Sequence, residues 1–120
     1  MILVDASVWI DHFRSRSSSL VTLLELGEVV THTFVVGELA AGSLRNRSRT
    51  IENLKALPTL ALAQHSDVMN FVESQKLWNR GLSWIDLHLL AAARLAGMRL
   101  WTLDQSLKLV AASLPVIFSV

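Results

Sequence analysis

The chain begins with the run MILV at residues 1–4, which is followed at once by Asp5. A short, wholly apolar run of this kind is typical of a strand that is buried on both faces of a parallel sheet. Further β-like runs follow along the chain, and together they predict a sheet of about five strands. These further runs lie at 29–33, 59–62, 99–103 and 116–118.

Helical patterns fill the segments between these runs. Gly27 and Gly97 follow two segments as C-terminal stops, and Ser66 and Ser83 precede two others as N-caps. Strands that alternate with helices predict an α/β fold in which helices cover both faces of a parallel sheet, a three-layer α/β/α sandwich. The predicted helices lie near 7–13, 19–26, 34–44, 48–56, 66–78, 83–96 and 105–113.

Length and composition limit the class of protein. A chain of 120 residues is large enough for one core and too small for two, so we expect residues 1–120 to form a single domain. Hydrophobic residues make up 52% of the chain even when its five glycines are not counted. This fraction is above the usual one, which is about 45–50% with glycine counted. We therefore expect part of the apolar surface to cover an interface with a second copy or another protein.

Charge and segment lengths exclude several locations and ligands. The net charge of +1 gives no overall attraction to nucleic acid, so local clusters have to supply any such attraction. The amino-terminal apolar run is too short for a signal peptide, and no stretch of about 18 apolar residues could span a membrane. The lack of cysteine excludes disulfides and thiolate metal sites. These features together predict a cytoplasmic protein.

Four of the ten acidic residues stand beside apolar runs. Asp5 and Asp104 follow the first and fourth predicted strands, and Glu38 lies in the first or second turn of the helix after the second. Asp86 lies in the first turn of the helix that leads into the fourth strand. Each helix of a parallel α/β sheet starts at the carboxyl edge of the strands, where ligands of such sheets bind. All four acids are therefore predicted at one edge.

Each acid also has a purely structural interpretation. Asp5 and Asp104 would serve as N-caps of the helices that follow them. Asp86 stands three residues after Ser83, which is the spacing of a capping box. Glu38 would be a polar residue on a helix surface. Two further acids fall in early helical turns and could share the same edge: Asp11 and Asp67.

Convergence of the four carboxylates would have to be offset by other charges. One like-charge pair at about 6 Å and an effective dielectric near 20 costs roughly 2.8 kcal/mol, so six pairs cost on the order of 17 kcal/mol. A whole domain has only about 5–15 kcal/mol of stability. No lysine or arginine stands within five residues of Glu38 or Asp86. Either some acids take up protons or a divalent cation is bound, and an all-oxygen site suits Mg²⁺ or Mn²⁺.

Four sequence blocks in a fixed order carry a resemblance to a known family. They are VDASVWID at 4–11, VGELAAG at 36–42, LSWID at 82–86 and LWTLD at 100–104. These blocks resemble the PIN-domain family, and their order and spacing are similar to the VapC-type ribonuclease toxins of bacterial and archaeal toxin–antitoxin pairs. The similarity runs from residue 2 to about residue 110.

The resemblance implies a Mg²⁺- or Mn²⁺-dependent endoribonuclease that is usually a homodimer. It also implies a cognate antitoxin protein that docks on the toxin and blocks its site. By position, Ser7 and Thr102 match hydroxyls that support the acidic site, while Ala6 departs from the threonine that relatives often have. The acids that match the catalytic and metal-binding quartet of the family are Asp5, Glu38, Asp86 and Asp104.

The implied chemistry is hydrolysis of an RNA phosphodiester bond by metal-activated water, with a 5′-phosphate and a 3′-hydroxyl as products. Asp5 and Asp104 would be the most direct metal ligands, with Asp86 close by. Glu38 would either complete the ligand shell or hold the attacking water and remove a proton from it.

An acidic site repels the phosphate backbone, so cations elsewhere have to hold the substrate. The densest positive cluster contains Arg45, Arg47 and Arg49, which we interpret as RNA-binding residues. A solvated loop between two helices is an equal alternative. If the loop directly follows the helix of Glu38, it begins near the opposite edge of the sheet, which argues against substrate contact. Three further arginines would extend the cluster: Arg14, Arg16 and Arg80.

Two functions from different classes remain. The first is the ribonuclease, and the second is a catalytically silent module of the same fold that binds a partner protein or RNA. The intact quartet favours the first, because a silent copy has no need for so much uncompensated charge. An aspartyl-nucleophile phosphohydrolase is weaker, since it would need an acid at position 7, where the chain has Ser7.

Overall fold

Four parallel strands form the centre of the protein, as described for residues 1–120 by a computed structural model. The strands are β1 (Ile2–Val4), β2 (Val29–His32), β3 (Thr59–Leu60) and β4 (Arg99–Trp101). Their order across the sheet is β3-β2-β1-β4, so β1 pairs with β2 on one side and with β4 on the other. Ile2 lies opposite both Val29 and Arg99.

Seven helices flank this sheet, and the α/β sandwich predicted from the sequence is confirmed. The strands alternate with helices, as a parallel sheet requires. No helix is both long and apolar enough to cross a membrane. The helices are α1 (Ala6–Ser15), α2 (Ser18–Glu25), α3 (Thr33–Ala41), α4 (Arg47–Lys55), α5 (His65–Gln75), α6 (Trp84–Ala96) and α7 (Gln105–Ser113).

The fifth predicted strand is reduced to a single bridge between Leu100 and Ile117. The backbone N–H of Leu100 donates to Val116 at 2.6 Å, and that of Phe118 donates to Leu100 at 2.9 Å. The N–H of Val116 is instead bonded to Ala111 in α7. The segment after α7 therefore lies beside β4 without forming a full ladder, which is why four strands are observed where about five were expected.

Strands β1, β2 and β4 are buried apart from Arg99, which fits their largely apolar sequences, whereas the edge strand β3 is partly exposed. Leu3, Val4 and Leu100 are fully buried, and they belong to a core of 24 side chains drawn from strands and helices. Residues 88–93 of α6 are also all buried, so α6 lies deep in the structure. This packing fixes the ends of β1 and β4 and the start of α6 relative to one another.

Several helix ends differ from the prediction, among them the end of α5 at Gln75, three residues earlier than expected. α3 ends at Ala41, three residues earlier than expected, since Gly42 has an extended conformation with φ −91° and ψ −170°. α5 begins at His65 with Gln64 as its N-cap, so Ser66 lies inside the helix and the predicted Ser66 cap is wrong. The prediction for Ser83 is confirmed, because its side chain caps α6.

Candidate active site

A pocket of about 430 Å³ opens at the carboxyl edge of the sheet. Its lining contains the four acids singled out from the sequence and no lysine or arginine. Asp11 and Asp67 lie outside it. The lining residues are Asp5, Ala6, Ser7, Ile10, Glu38, Ser83, Ile85, Asp86 and Asp104.

Asp5 is the buried member of this group, with 6% of its surface exposed. Its Oδ2 accepts two hydrogen bonds of 2.7 Å, one from Ser7 Oγ and one from Thr102 Oγ1. Although Asp5 precedes α1, its side chain makes no cap hydrogen bond to that helix. The carboxylate is therefore held by one hydroxyl from the segment after β1 and one from the segment after β4. Its Oδ1 receives no hydrogen bond from the protein.

The two hydroxyls are themselves fixed by the backbone after β4. Ser7 Oγ accepts a hydrogen bond of 3.0 Å from the N–H of Leu103, and Thr102 Oγ1 accepts one of 3.1 Å from the N–H of Asp104. Because each oxygen accepts from a backbone N–H, its own hydrogen is free to point at Asp5. The network sets the direction of both donors and ties the position of Asp104 to that of Asp5.

Asp86 and Asp104 use one carboxylate oxygen each to cap a helix. Asp86 Oδ2 accepts from the N–H of Ser83 at 2.9 Å, while Ser83 Oγ accepts from the N–H of Asp86 at 3.1 Å, which is a capping box. Asp104 Oδ2 accepts from the N–H of Leu107 at 2.9 Å. The capping interpretation is thus correct for both residues. It leaves the second oxygen of each carboxylate without a protein donor in the same pocket.

The acids influence one another electrostatically. Burial raises the pKa of Glu38, and the charges of Asp5 and Asp86 raise it further. Burial also raises the pKa of Asp86; hydrogen bonds from Ser83 oppose this increase, and the charges of Asp5 and Asp104 add to it. Both carboxyls therefore hold a proton more readily than in water, as expected for like charges in a pocket without a counter-charge.

The donor set suits a hard divalent cation. Carboxylate oxygens are the ligands that Mg²⁺ and Mn²⁺ prefer, and the pocket offers them without competing cations. As they stand, no three acidic or histidine side chains are close enough to hold one ion together. Glu38 is exposed and makes no side-chain hydrogen bond, Asp104 is exposed but caps α7 through Oδ2, and Asp5 is fixed. A shared ion therefore requires at least one exposed side chain to rotate towards Asp5.

Comparison with known proteins identifies the family. Residues 2–113 match the PIN domain. The chain belongs to the PIN-domain family. Over 113 residues it is 42% identical to ribonuclease VapC32 of Mycobacterium tuberculosis, from strains CDC 1551 / Oshkosh and ATCC 25618 / H37Rv, and the alignments cover 93% of this chain and 91% of those proteins. The recognition of a VapC-type PIN domain from its four sequence blocks is confirmed.

A solved structure shows that this PIN domain shares its fold with a distant relative. The crystal structure of PAE2754 from Pyrobaculum aerophilum matches it with a TM-score of 0.64 at 16% sequence identity. The match covers 95% of this chain and 94% of that chain. At this identity, the likeness concerns the fold alone.

The predicted arginine cluster of the PIN domain divides into residues with different surroundings. Arg45 lines a second cleft, together with Arg14 and Glu38. Arg47 donates a hydrogen bond of 2.7 Å to the backbone oxygen of Ala40, near the end of α3. Arg49 is exposed and makes no side-chain hydrogen bond or ion pair. The sequence indicated a position near the opposite edge if this loop directly followed the helix of Glu38; α3 ends less than one turn after Glu38, and Arg45 shares a cleft with that acid.

Two features near the pocket were not assigned a role from the sequence. Ser83 was expected only to cap α6, yet it also lines the acidic pocket and holds Asp86; its spacing of three from Asp86 was the available signal. His88 is buried and packs edge-on against Phe34 and Trp84, with ring centroids 4.8 and 4.9 Å apart. Burial lowers the pKa of His88, so it is a neutral core residue at pH 7.

Proposed function

We propose that this PIN domain is a metal-dependent endoribonuclease that acts as the toxin of a toxin–antitoxin pair. The observation that carries the proposal is the convergence of four carboxylates in one pocket that contains no lysine or arginine. Its relatives with 42% identity are named ribonuclease VapC32, which supports RNA as the substrate. The alternative of a silent interaction module gives no reason for so much uncompensated negative charge in one place.

The proposed metal ligands are Asp5, Asp86 and Asp104, with Glu38 beside them. Asp5 is the fixed ligand, because two hydroxyls hold its Oδ2 and leave Oδ1 available. Asp86 and Asp104 each keep one oxygen free after capping their helices. A bound Mg²⁺ or Mn²⁺ ion supplies charge that stabilises the phosphoryl oxygens and lowers the pKa of a water molecule.

Glu38 is the proposed proton acceptor for the attacking water. Its pKa is raised by burial and by the charges of Asp5 and Asp86, which brings it nearer to the pH at which a general base is effective. Its carboxylate would orient the water and take up its proton as the oxygen attacks phosphorus. The bond from phosphorus to the 3′-oxygen breaks, and the departing 3′-oxygen takes up a proton from solvent water, which leaves a 5′-phosphate and a 3′-hydroxyl. The 2′-hydroxyl of the RNA takes no part.

The partners belong to the same proposal. We expect a cognate antitoxin protein to cover the site and a second copy of the chain to form a homodimer in the cytoplasm. The surface supports such contacts, because several large apolar side chains are more than half exposed. They include Leu26 at 66%, Leu62 at 51%, Trp78 at 55%, Leu95 at 76% and Leu109 at 69%.

The test is cleavage of a mixed RNA pool by the protein free of antitoxin, with Mg²⁺ or Mn²⁺ and with chelator. We expect cutting that requires the metal and falls by at least about 100-fold in Asp5→Asn and Asp86→Asn, since such polar contacts contribute several kcal/mol to a transition state. Asp67→Asn is the matched control, because Asp67 is also a first-turn acid but lies outside the pocket.

Two outcomes would contradict the proposal. Cutting that persists in chelator, or equally in all three variants, would place the activity elsewhere. Folded wild-type protein that neither cuts RNA nor binds the metal would leave the silent interaction module as the better account. Thermal unfolding of each variant establishes that the protein is folded.

A further inference from the structure

A second, larger cleft of about 610 Å³ lies beside the acidic pocket. Ile10 of α1 and Glu38 of α3 line both, so the two clefts are adjacent. The volume of the second cleft lies within the roughly 300–1,000 Å³ that small-molecule sites usually have. Its lining includes two arginines, Arg14 and Arg45, whereas the acidic pocket has none.

Neither arginine side chain forms an ion pair or a hydrogen bond within the protein. The only ion pair of the structure joins the terminal amine of Met1 to Glu28, so neither Arg14 nor Arg45 is paired with a carboxylate. Neither guanidinium makes a hydrogen bond to the protein, and both residues are exposed. Each has five N–H donors available for a planar anion.

The backbone around Arg45 is held in place. Thr50 Oγ1 donates a hydrogen bond of 3.1 Å to the backbone oxygen of Arg45. Asn46 has a left-handed backbone conformation, with φ of 48°, where the chain turns into α4. Arg47 fixes the same loop to the end of α3 through Ala40. The loop is therefore anchored at the carbonyl of Arg45 and at Arg47, while the Arg45 guanidinium itself makes no hydrogen bond.

We infer that Arg14 and Arg45 form a phosphate subsite that binds the RNA backbone next to the scissile bond. The inference rests on the proposed ribonuclease function, which supplies the single-stranded RNA as ligand. The quartet repels phosphate, so a strand whose scissile phosphate reaches the acids needs neighbouring positive charge. The shared lining of Ile10 and Glu38 places that charge in the cleft directly beside the acids. Arg47 and Arg49 are outside this subsite.

Contacts from a guanidinium to a phosphate carry no direct sequence information, so a subsite that binds only phosphate should act on all sequences alike. Its signature is the salt dependence of binding. Each phosphate contact to a single strand contributes about 0.7 to the slope of log K against log salt. A tenfold dilution of salt therefore strengthens binding by about fivefold for each contact, and by about 25-fold for two.

The experiment measures binding of a fluorescein-labelled single-stranded RNA by anisotropy over a range of salt, with chelator present so that no cutting occurs. We expect the slope to fall by about 0.7 in Arg14→Ala and in Arg45→Ala and by about 1.4 in the double variant. Arg99→Ala is the matched control, because Arg99 is an exposed arginine at the start of β4, on the opposite edge of the sheet. It should keep the slope of the wild type.

Three results would overturn the inference. They are wild-type protein that does not bind the RNA at low salt, a double variant with the slope of Arg99→Ala, and an Arg49→Ala variant that loses as much as Arg45→Ala. A double variant that binds RNA normally but no longer binds a polyglutamate peptide would assign the cleft to an acidic protein segment instead.

Cleavage assays separate this inference from the proposed function. With Mg²⁺ or Mn²⁺ present, the double variant should raise KM while kcat stays near the wild-type value, because the arginines contact the substrate away from the reacting atoms. Salt-dependent binding through these arginines without any cleavage by the wild type would retain the subsite and contradict the nuclease.

Discussion

At the scale of single residues, the position of Asp5 depends on hydroxyl groups and not on other charges. The carboxylate is 6% exposed and has no cationic partner, but two hydroxyls donate to its Oδ2. These hydrogen bonds satisfy polar atoms of the buried carboxylate and so offset part of the cost of its burial. Ser7 and Thr102 are therefore expected to act on the site through Asp5, as positioning residues.

Replacement of Thr102 by valine tests this arrangement. Thr102→Val keeps the shape of the side chain but removes the donor to Asp5 and the acceptor for the N–H of Asp104. The free energy of unfolding should therefore fall by about 1–3 kcal/mol. Thr31→Val is the matched control, because Thr31 is equally buried and its hydroxyl has no partner. Chemical denaturation measures the free energy of unfolding of both variants. Equal losses in the two variants would contradict the role of the Thr102 hydroxyl.

The pH dependence of stability tests the repulsion at Glu38. Because burial and the nearby acids raise the pKa of Glu38, the folded chain gives up this proton less readily than the unfolded chain, and ionisation lowers stability. The loss is absent well below the ordinary pKa of 4.5, grows as the pH rises from there through the raised pKa, and is complete above the raised pKa.

Glu38→Gln cannot ionise, so in chelator it should be more stable than the wild type at pH 7 and similar at about pH 4. The difference should stay below about 1 kcal/mol, because the side chain is largely exposed and screened by water. Thermal unfolding from about pH 4 to pH 8 measures it, with Glu52→Gln, an exposed acid outside the pocket, as control. Parallel wild-type and Glu38→Gln curves over this range would contradict the expected repulsion.

At the scale of elements, helix starts serve both folding and the site. The capping box at the start of α6 satisfies two backbone N–H groups and at the same time fixes Asp86 at the pocket. The cap of α7 likewise positions Asp104. An acid at a helix start has a free second oxygen, so capping and ligation do not exclude one another.

Removal of one side of the capping box should show both roles. Ser83→Ala should cost about 1 kcal/mol of stability and also weaken metal binding, because the start of α6 that carries Asp86 is no longer fixed. Ser66→Ala is the matched control: Ser66 lies inside the first turn of α5 and caps nothing, so stability should stay within about 0.5 kcal/mol. Denaturation and metal titration of both variants provide the check. A Ser83→Ala protein with lower stability but unchanged metal affinity would show that Ser83 stabilises α6 only and does not position Asp86 for metal binding.

At the scale of the whole molecule, the parallel topology explains what could be predicted. Once the strands were placed, chain direction alone put Asp5 and Asp104 at one edge, and the direction of the connecting helices put Asp86 there. The prediction failed where it depended on element length. The prediction carried α3 to residue 44, although Gly42 directly follows Ala41 and is a typical signal for a helix end, and the conditional placement of the Arg45 loop near the opposite edge followed from that longer helix.

Contacts between residues that are far apart in the sequence could not be predicted from sequence patterns either. The hydroxyls of Ser7 and Thr102 stand 95 positions apart, and only the pairing of β1 with β4 brings their oxygens to 3.3 Å. The single bridge at Ile117 likewise depends on how α7 ends, because Ala111 takes the N–H of Val116. Local sequence gives propensities for such segments but not the partner that each backbone group finds.

The most direct test of the acidic site is calorimetric titration of the metal-free protein with Mn²⁺. We expect saturable binding in the wild type and in Asp67→Asn, and a loss of at least about tenfold in affinity in Asp5→Asn and Asp86→Asn, in line with the removal of a charged oxygen ligand. Equal affinities in all four proteins, or no binding by folded wild type, would contradict a divalent metal site formed by these acids.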